Sequence, residues 1–148
     1  MSWLRRSPKE PVAAAQGSLE IRKPRLRPSA AHDWEAGGYM TITNTGPEAD
    51  RLLSAISPAF EIVLIHAVKV VGPGLEMKEL PEGLVIPPEY ATELRPRGYH
   101  LLLQKKKAPL VLGAPVPVTL RFEKAGDLAI ELTTEAPGPV GEYVLHET

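Results

Sequence analysis

The sequence predicts one all-β domain, an antiparallel β-sandwich with Greek-key connections. The chain has 148 residues, which is enough to bury a core. Its 16 prolines and 12 glycines divide it into short segments, close to the spacing of about 8–12 residues that is typical of sandwich strands. Apolar and polar residues alternate within these segments, and none keeps a helical period over about ten residues or more. Short strands are therefore expected throughout.

The predicted strands lie between a flexible N-terminal lead, residues 1–17, and a C-terminal tail, residues 137–148, which is a coil or carries one last strand. About nine strands are expected in the sandwich domain, residues 18–136. They lie in 18–29, 39–46, 51–57, 60–72, 98–104, 117–126 and 127–136, with two more around the Pro-Pro turn of 84–98. Residues 30–38 and 72–83 are expected to be loops, the second with a short extended piece.

Three strands carry further information. The strand in 18–29 contains prolines, which indicates an edge position. The strand in 60–72 is apolar on both faces, which indicates cover on both sides. The last two strands flank the turn "KAGD" and alternate strictly, which predicts a hairpin. Their inward residues are expected to be Val118, Leu120, Phe122, Leu128, Ile130 and Leu132.

Composition excludes several function classes. The net charge is −1 with both signs mixed along the chain, which argues against nucleic acid as a partner. There is no cysteine, so disulfides, thiolate catalysis and cysteine zinc sites are excluded. No stretch approaches the ~20 apolar residues of a transmembrane segment. The N-terminus has a basic start and "AAAQ" but no apolar region between them, so it forms no complete signal peptide.

No motif of a hydrolase, a nucleotide-binding enzyme or a zinc protease is present, so the protein is not expected to be an enzyme. The chain has four histidines and three methionines. Taken singly, His66 and His100 are more often structural than metal ligands, and Met77 is more often a loop hydrophobe. Their order along the chain favours a joint site, because imidazole and thioether together suit copper, in particular the soft Cu(I) ion.

These residues lie in stretches that resemble the PCu(A)C family of bacterial periplasmic copper chaperones, over about residues 37–134. The similarity begins at "GGYMTITNTGPEADRLLSAISP" and continues through the strand with His66 and through "GLEMKELPEGLVIPP". It closes with the long stretch "ELRPRGYHLLLQKKKAPLVLGAPVPVTLRFEKAG". The resemblance implies a cupredoxin-like sandwich in the periplasm. It also implies a solvent-near Cu(I) site and delivery of copper to the CuA centre of cytochrome c oxidase.

The resemblance also implies the ligands. His66 matches the first family histidine, Met77 the methionine of the following loop, and His100 the histidine after Gly-Tyr. The fourth family ligand is a methionine two residues after that histidine, and this chain has Leu102 there. Leucine has no lone pair to offer. The site then has either three ligands or a fourth from elsewhere in the chain. The candidates for that fourth ligand are His32, Met40 and His146.

Two functions follow from the sequence. The first is a copper chaperone with a His66, Met77 and His100 site, whose partners are the copper ion and a cytochrome c oxidase subunit or another copper-transfer protein. The second is a sandwich that has lost its copper site and serves as an interaction or scaffold module. The preserved order of the three donors favours the first. Leu102, together with "HAVKV" in place of the family's glutamate and methionine after the first histidine, favours the second.

Overall fold

The structure is a computed structural model that describes residues 10–138. These residues form eleven strands and no helix. The strands are β1 (Val12–Gln16), β2 (Leu19–Pro28), β3 (Glu35–Asn44), β4 (Asp50–Ile56), β5 (Phe60–Val71), β6 (Gly74–Glu79), β7 (Leu84–Ile86), β8 (Tyr90–Leu94), β9 (His100–Lys106), β10 (Pro115–Phe122) and β11 (Gly126–Thr134). Accordingly, no helix in this part of the chain is long and apolar enough to cross a membrane.

The strands form a β-sandwich whose two halves meet at β2 and β11. The hydrogen-bonded order is β6-β5-β9-β3-β2-β11-β10-β4-β7, with β1 added to β2 and β8 added to β3. All ladders are antiparallel except the short parallel pairing of β2 with β11. Gly38 shows how closely the halves pack, because a Cβ there would lie 3.3 Å from Leu132 Cδ1 in β11.

The predicted hairpin at the C-terminal end of the domain is confirmed. β10 and β11 pair from Pro115 opposite Thr133 to Phe122 opposite Gly126. The six residues expected to point inward are all buried. The turn is fixed by Asp50, whose carboxylate accepts the backbone N–H groups of Lys124 and Ala125. Strict alternation of apolar residues therefore predicted both the pairing and the buried face.

Three strand predictions are wrong. β2 is not an edge strand, since it pairs with β1, β3 and β11. Its Pro24 is tolerated because it lies in a register shift between Arg22 and Arg25, where no ladder hydrogen bond is required. β6 is a six-residue strand where a loop with only a short extended piece was expected. β3 begins at Glu35, inside the predicted loop 30–38.

The count of about nine strands is too low because β1 and β6 were missed. β1 lies in the predicted lead, where an alanine-rich stretch of low β-propensity pairs with β2. Residues 1–9 of the lead and residues 139–148 of the tail, with His146, lie outside the described residues.

Candidate metal centre

His66 and His100 face each other across two neighbouring strands. The register of β5 and β9 places His66 directly opposite His100, so both side chains project from the same face of the sheet. Their ring centroids lie 5.7 Å apart in an edge-to-face arrangement. Metal–imidazole bonds are about 2.0–2.1 Å for zinc, so one first-row ion can bind two rings whose centroids are separated by roughly 6 Å.

A backbone carbonyl fixes the tautomer of His100. Its Nδ1 lies 2.9 Å from the carbonyl oxygen of Gly98. A carbonyl only accepts, so we assign the proton to Nδ1, which donates to Gly98. The other ring nitrogen, Nε2, then carries a lone pair, and it is buried without a hydrogen-bond partner. Metal-binding histidines are usually oriented in this way, with the ring nitrogen that does not bind the metal donating to a carbonyl or a carboxylate.

His66 also has a free nitrogen, because its buried Nδ1 lacks a partner. Burial lowers the pKa of His66 below the ordinary value of 6.5, the nearby His100 lowers it further, and Glu79 partly offsets both. Burial likewise lowers the pKa of His100, against the opposing effect of the Gly98 hydrogen bond. Both rings are therefore neutral at neutral pH, which is the form that binds metal ions.

Met77 lies on the edge strand β6, not in a loop. It pairs with Val68 of β5, and His66 pairs with Glu79. Met77 and His66 are thus diagonal neighbours on one face, separated by about 7–8 Å at most between Cβ atoms, within reach of a long side chain. Met77 is half-buried, whereas His66 and His100 are buried. The histidines are less exposed than the solvent-near site implied by the resemblance, and Met77 is the most accessible of the three.

Leu102 lies on the same face as the three donors. It follows His100 by two residues in β9 and pairs with Leu64 of β5. Its side chain is buried and provides no donor. Residues 10–138 contain no group of three His, Cys, Asp or Glu side chains arranged to hold a metal ion. A metal bound between the two histidines would therefore need a donor of another kind, such as the Met77 sulfur.

The three candidates for a fourth ligand have different outcomes. Met40 is excluded as a ligand. Gly38 pairs with Leu101, and Met40 lies two residues after Gly38, so Met40 and Leu101 point to the same face of the sheet. That face is turned to the core and is opposite to the face that carries His100. His32 stacks on Trp34 with ring centroids 4.5 Å apart. The Trp34 carbonyl accepts the N–H of Lys106, so both rings lie at the end of β9 that is remote from His100. His146 lies outside the described residues.

Sequence reasoning missed Tyr39 as a neighbour of the centre. Its ring lies 6.5 Å from the ring of His100 and is buried. Arg25 and Arg27 approach the same ring at 5.5 Å and 5.6 Å. The alternation of β3 placed Tyr39 on the other face of the strand from Met40, but nothing in the sequence indicated that β9 pairs with β3.

The chain is similar to a lipoprotein family and to copper-binding domains. The LpqE-like family model, described as a lipoprotein, matches residues 19–134. A protein of Leifsonia xyli subsp. xyli, named as lipoprotein Lxx21020, is 34% identical over 92 residues, which cover 59% of this chain and 55% of that protein. The chain thus spans about half the length of this curated relative.

Solved structures agree with the fold. The copper-bound PCuAC domain from PmoF2 has a TM-score of 0.70 and 29% identity, covering 83% of this chain and 97% of that domain. The apo PCuAC domain from PmoF1 has a TM-score of 0.73 and 30% identity, covering 83% and 98%. CuI-DR1885 from Deinococcus radiodurans, with a TM-score of 0.64 and 22% identity over 90% of this chain and 85% of that one, shows the fold alone. The predicted cupredoxin-like sandwich and the resemblance to PCuAC domains are confirmed.

Proposed function

The chain belongs to the LpqE-like family, and from that premise we propose that it is a copper chaperone that binds Cu(I) with His66, Met77 and His100. One observation carries the proposal: two neutral imidazoles face each other, each with a buried nitrogen that lacks a partner. Buried polar atoms are nearly always paired in folded proteins. Two such atoms in adjacent rings are accounted for when a cation lies between them.

Cu(I) is the ion that suits these donors. A thioether is a soft ligand that selects Cu(I), while imidazole is shared by several first-row metals. The half-buried Met77 lies at the accessible side of the centre, where an ion can enter and leave. Binding and transfer need no catalytic step. The lipoprotein family supports a location outside the cytoplasm, in the periplasm by the PCu(A)C resemblance. The CuA centre of cytochrome c oxidase, or another copper-transfer protein, is the proposed acceptor.

A Cu(I) titration under reducing conditions, with a competing chelator, tests the proposal. Alanine at His66, Met77 or His100 is expected to weaken binding, with His100→Ala among the largest losses. His32→Ala is the matched control, since it removes a histidine that stacks on Trp34 away from the centre. Equal affinity in the wild type and the triple alanine variant would reject the copper site.

The second candidate is a scaffold that no longer binds copper, and Leu102 favours it. Leucine fills the position on the ligand face without offering a donor. If the titration finds no Cu(I) binding in a protein whose circular dichroism is that of a folded β-sandwich, the scaffold function replaces the chaperone.

A further inference from the structure

Beside the metal centre, strands β5 and β8 separate and leave a groove. β9 pairs with β5 only as far as His66 opposite His100, although β5 continues to Val71. On the other side, β3 leaves β9 after Gly38 and continues along β8. β5 and β8 therefore stand on either side of a gap that begins where β9 begins. The gap is a groove of about 410 Å³, and its lining includes Val68, Ala91, Gly98 and Tyr99.

Both walls of this groove expose backbone groups that no strand of residues 10–138 pairs. The carbonyl of Ile65 accepts the N–H of Leu80 on the β6 side. Because backbone groups alternate along a strand, those of Val68 and Val70 are directed away from β6, toward the groove. On the other wall, the backbone N–H of Arg95 donates to the carbonyl of Tyr99 on the side away from β3. The same alternation directs the backbone groups of Ala91 toward the groove. An extended peptide binds to free strand edges of this kind through its own backbone groups.

The groove leads to the metal ligands. Its lining residue Ala67 directly follows His66, and Tyr99 directly precedes His100. The carbonyl that orients His100 belongs to Gly98, another lining residue. Tyr90 and Tyr99 are exposed at its sides, at 59% and 42%, and exposed tyrosines are frequent anchors of protein partners. The charged lining side chains Glu93 and Arg95 form an ion pair with each other, so the groove suits a segment without net charge.

We propose that this groove, between β5 and β8, docks an uncharged extended segment of a copper acceptor whose methionine or cysteine completes the coordination of Cu(I). The inference rests on the proposed function and deepens it. The chain supplies three donors where the family has four, because Leu102 offers none, so a partner can supply the fourth. An incoming sulfur donates a lone pair to the ion, a histidine or Met77 withdraws, and the copper remains Cu(I) throughout.

Peptide retention on the full chain loaded with Cu(I) tests this proposal. The probe is a library of nonapeptides with a central methionine and random uncharged flanks that lack Cys, Met and His. The matched library has norleucine at the centre, which keeps the shape and removes the sulfur. We expect about tenfold greater retention of the methionine library on the loaded protein, and no such preference on the apo protein. Equal retention of both libraries, or retention of neither, would overturn the proposal.

Proline variants test whether the backbone edges hold the peptide. Val70→Pro and Ala91→Pro each remove an N–H that is directed into the groove, and both are expected to abolish retention. Val70→Ala and Ala91→Ser keep the N–H and are expected to retain the peptide. Amide hydrogen exchange at Val68, Val70 and Ala91 should slow on peptide binding, and that at Val85 in the edge strand β7 should not change. Retention that is insensitive to both prolines, in variants that still bind Cu(I), would place the peptide elsewhere.

Two further outcomes separate this inference from its alternatives. If the chain fails the Cu(I) titration, the proposed function fails first; if it binds Cu(I) but no library, only the docking proposal fails. The chain's own C-terminus is the competing occupant. Faster exchange at Val68, Val70 and Ala91 after removal of residues 139–148 would assign the groove to that segment and overturn the proposal of a partner.

Discussion

The imidazole ring of His100 meets the ring of His66 edge to face, at 5.7 Å between centroids, at the point where the pairing of β5 with β9 ends. The Gly98 carbonyl holds the first ring in a single tautomer. Nε2 of His100 and Nδ1 of His66 are both buried without hydrogen-bond partners. Buried polar atoms without partners cost stability, which supports the proposal that the two rings bind a cation.

The position of Leu102 gives the most direct test of the centre. Leu102→Met places a thioether on the face that carries His100 and is expected to raise Cu(I) affinity at least about tenfold, or ~1.4 kcal/mol. The two side chains have similar volumes, so the fold should lose less than ~1.5 kcal/mol. Leu101→Met is the matched control, because Leu101 points into the core on the opposite face. A gain in both variants, or in neither, contradicts the assignment.

Acid should destabilise the apo protein more than its carboxylates alone predict. The pKa values of His66 and His100 are lowered in the folded state, so below 6.5 the unfolded chain binds protons that the folded chain does not. These histidines therefore do not lower the free energy of unfolding above their unfolded pKa. Below it the free energy of unfolding falls as pH decreases, by at most about 1.4 kcal/mol per pH unit for each histidine. Urea unfolding between pH 7.5 and 5.5 measures the slope, and the double alanine variant should flatten it.

Copper binding should persist below the pH at which an exposed histidine site would fail. Protons compete with the metal for imidazole nitrogen, and the lowered pKa values delay this competition to lower pH. Cu(I) affinity measured with a competing chelator should thus begin to fall at a lower pH than that of a reference peptide whose histidines are exposed. A decline at the same pH as in the peptide would show that the two rings titrate as exposed histidines do.

Asp50 is expected to be among the carboxylates whose removal destabilises the fold most. It is buried and accepts the backbone N–H groups of Arg51, Lys124 and Ala125. Asp50→Ala leaves these donors without their acceptor, which should cost about 2–4 kcal/mol in urea unfolding. Asp127→Ala is the control, since Asp127 forms an exposed ion pair with Arg121 and should change stability little. Similar losses in the two variants would refute the role of Asp50.

Two glycines with positive φ separate backbone strain from steric clash. Gly83 has φ +90, and a Cβ there would collide with the carbonyl oxygen of Leu52. Gly72 has φ +57 and open space around it. Gly72→Ala should cost about 1 kcal/mol, the penalty of the left-handed conformation. Gly83→Ala should cost about 2–4 kcal/mol because the clash is added. Equal costs in thermal unfolding would exclude the contact with Leu52.

The resemblance to the PCu(A)C family implied the cupredoxin-like sandwich. The all-β class, the hairpin of β10 and β11 and the order of the three donors follow from local signals in the sequence. Alternation with a period of two fixes which residues face inward, whatever the strand pairs with, and breakers mark where a strand ends. The motif around "GYHLLL" likewise depends on neighbours in the chain.

Which strands pair depends on the tertiary structure, and this pairing brings His66 and His100 together. β1 and β6 have weak local propensity and form because β2 and β5 offer them edges. Met40 and His32 were open candidates until the register of β3 and β9 placed them away from His100. The tautomer of His100, the facing of the two rings and the groove beside them depend on contacts between residues that are distant in sequence. Register, unlike alternation, is set by those contacts, because a shift of one residue exchanges the two faces of a strand.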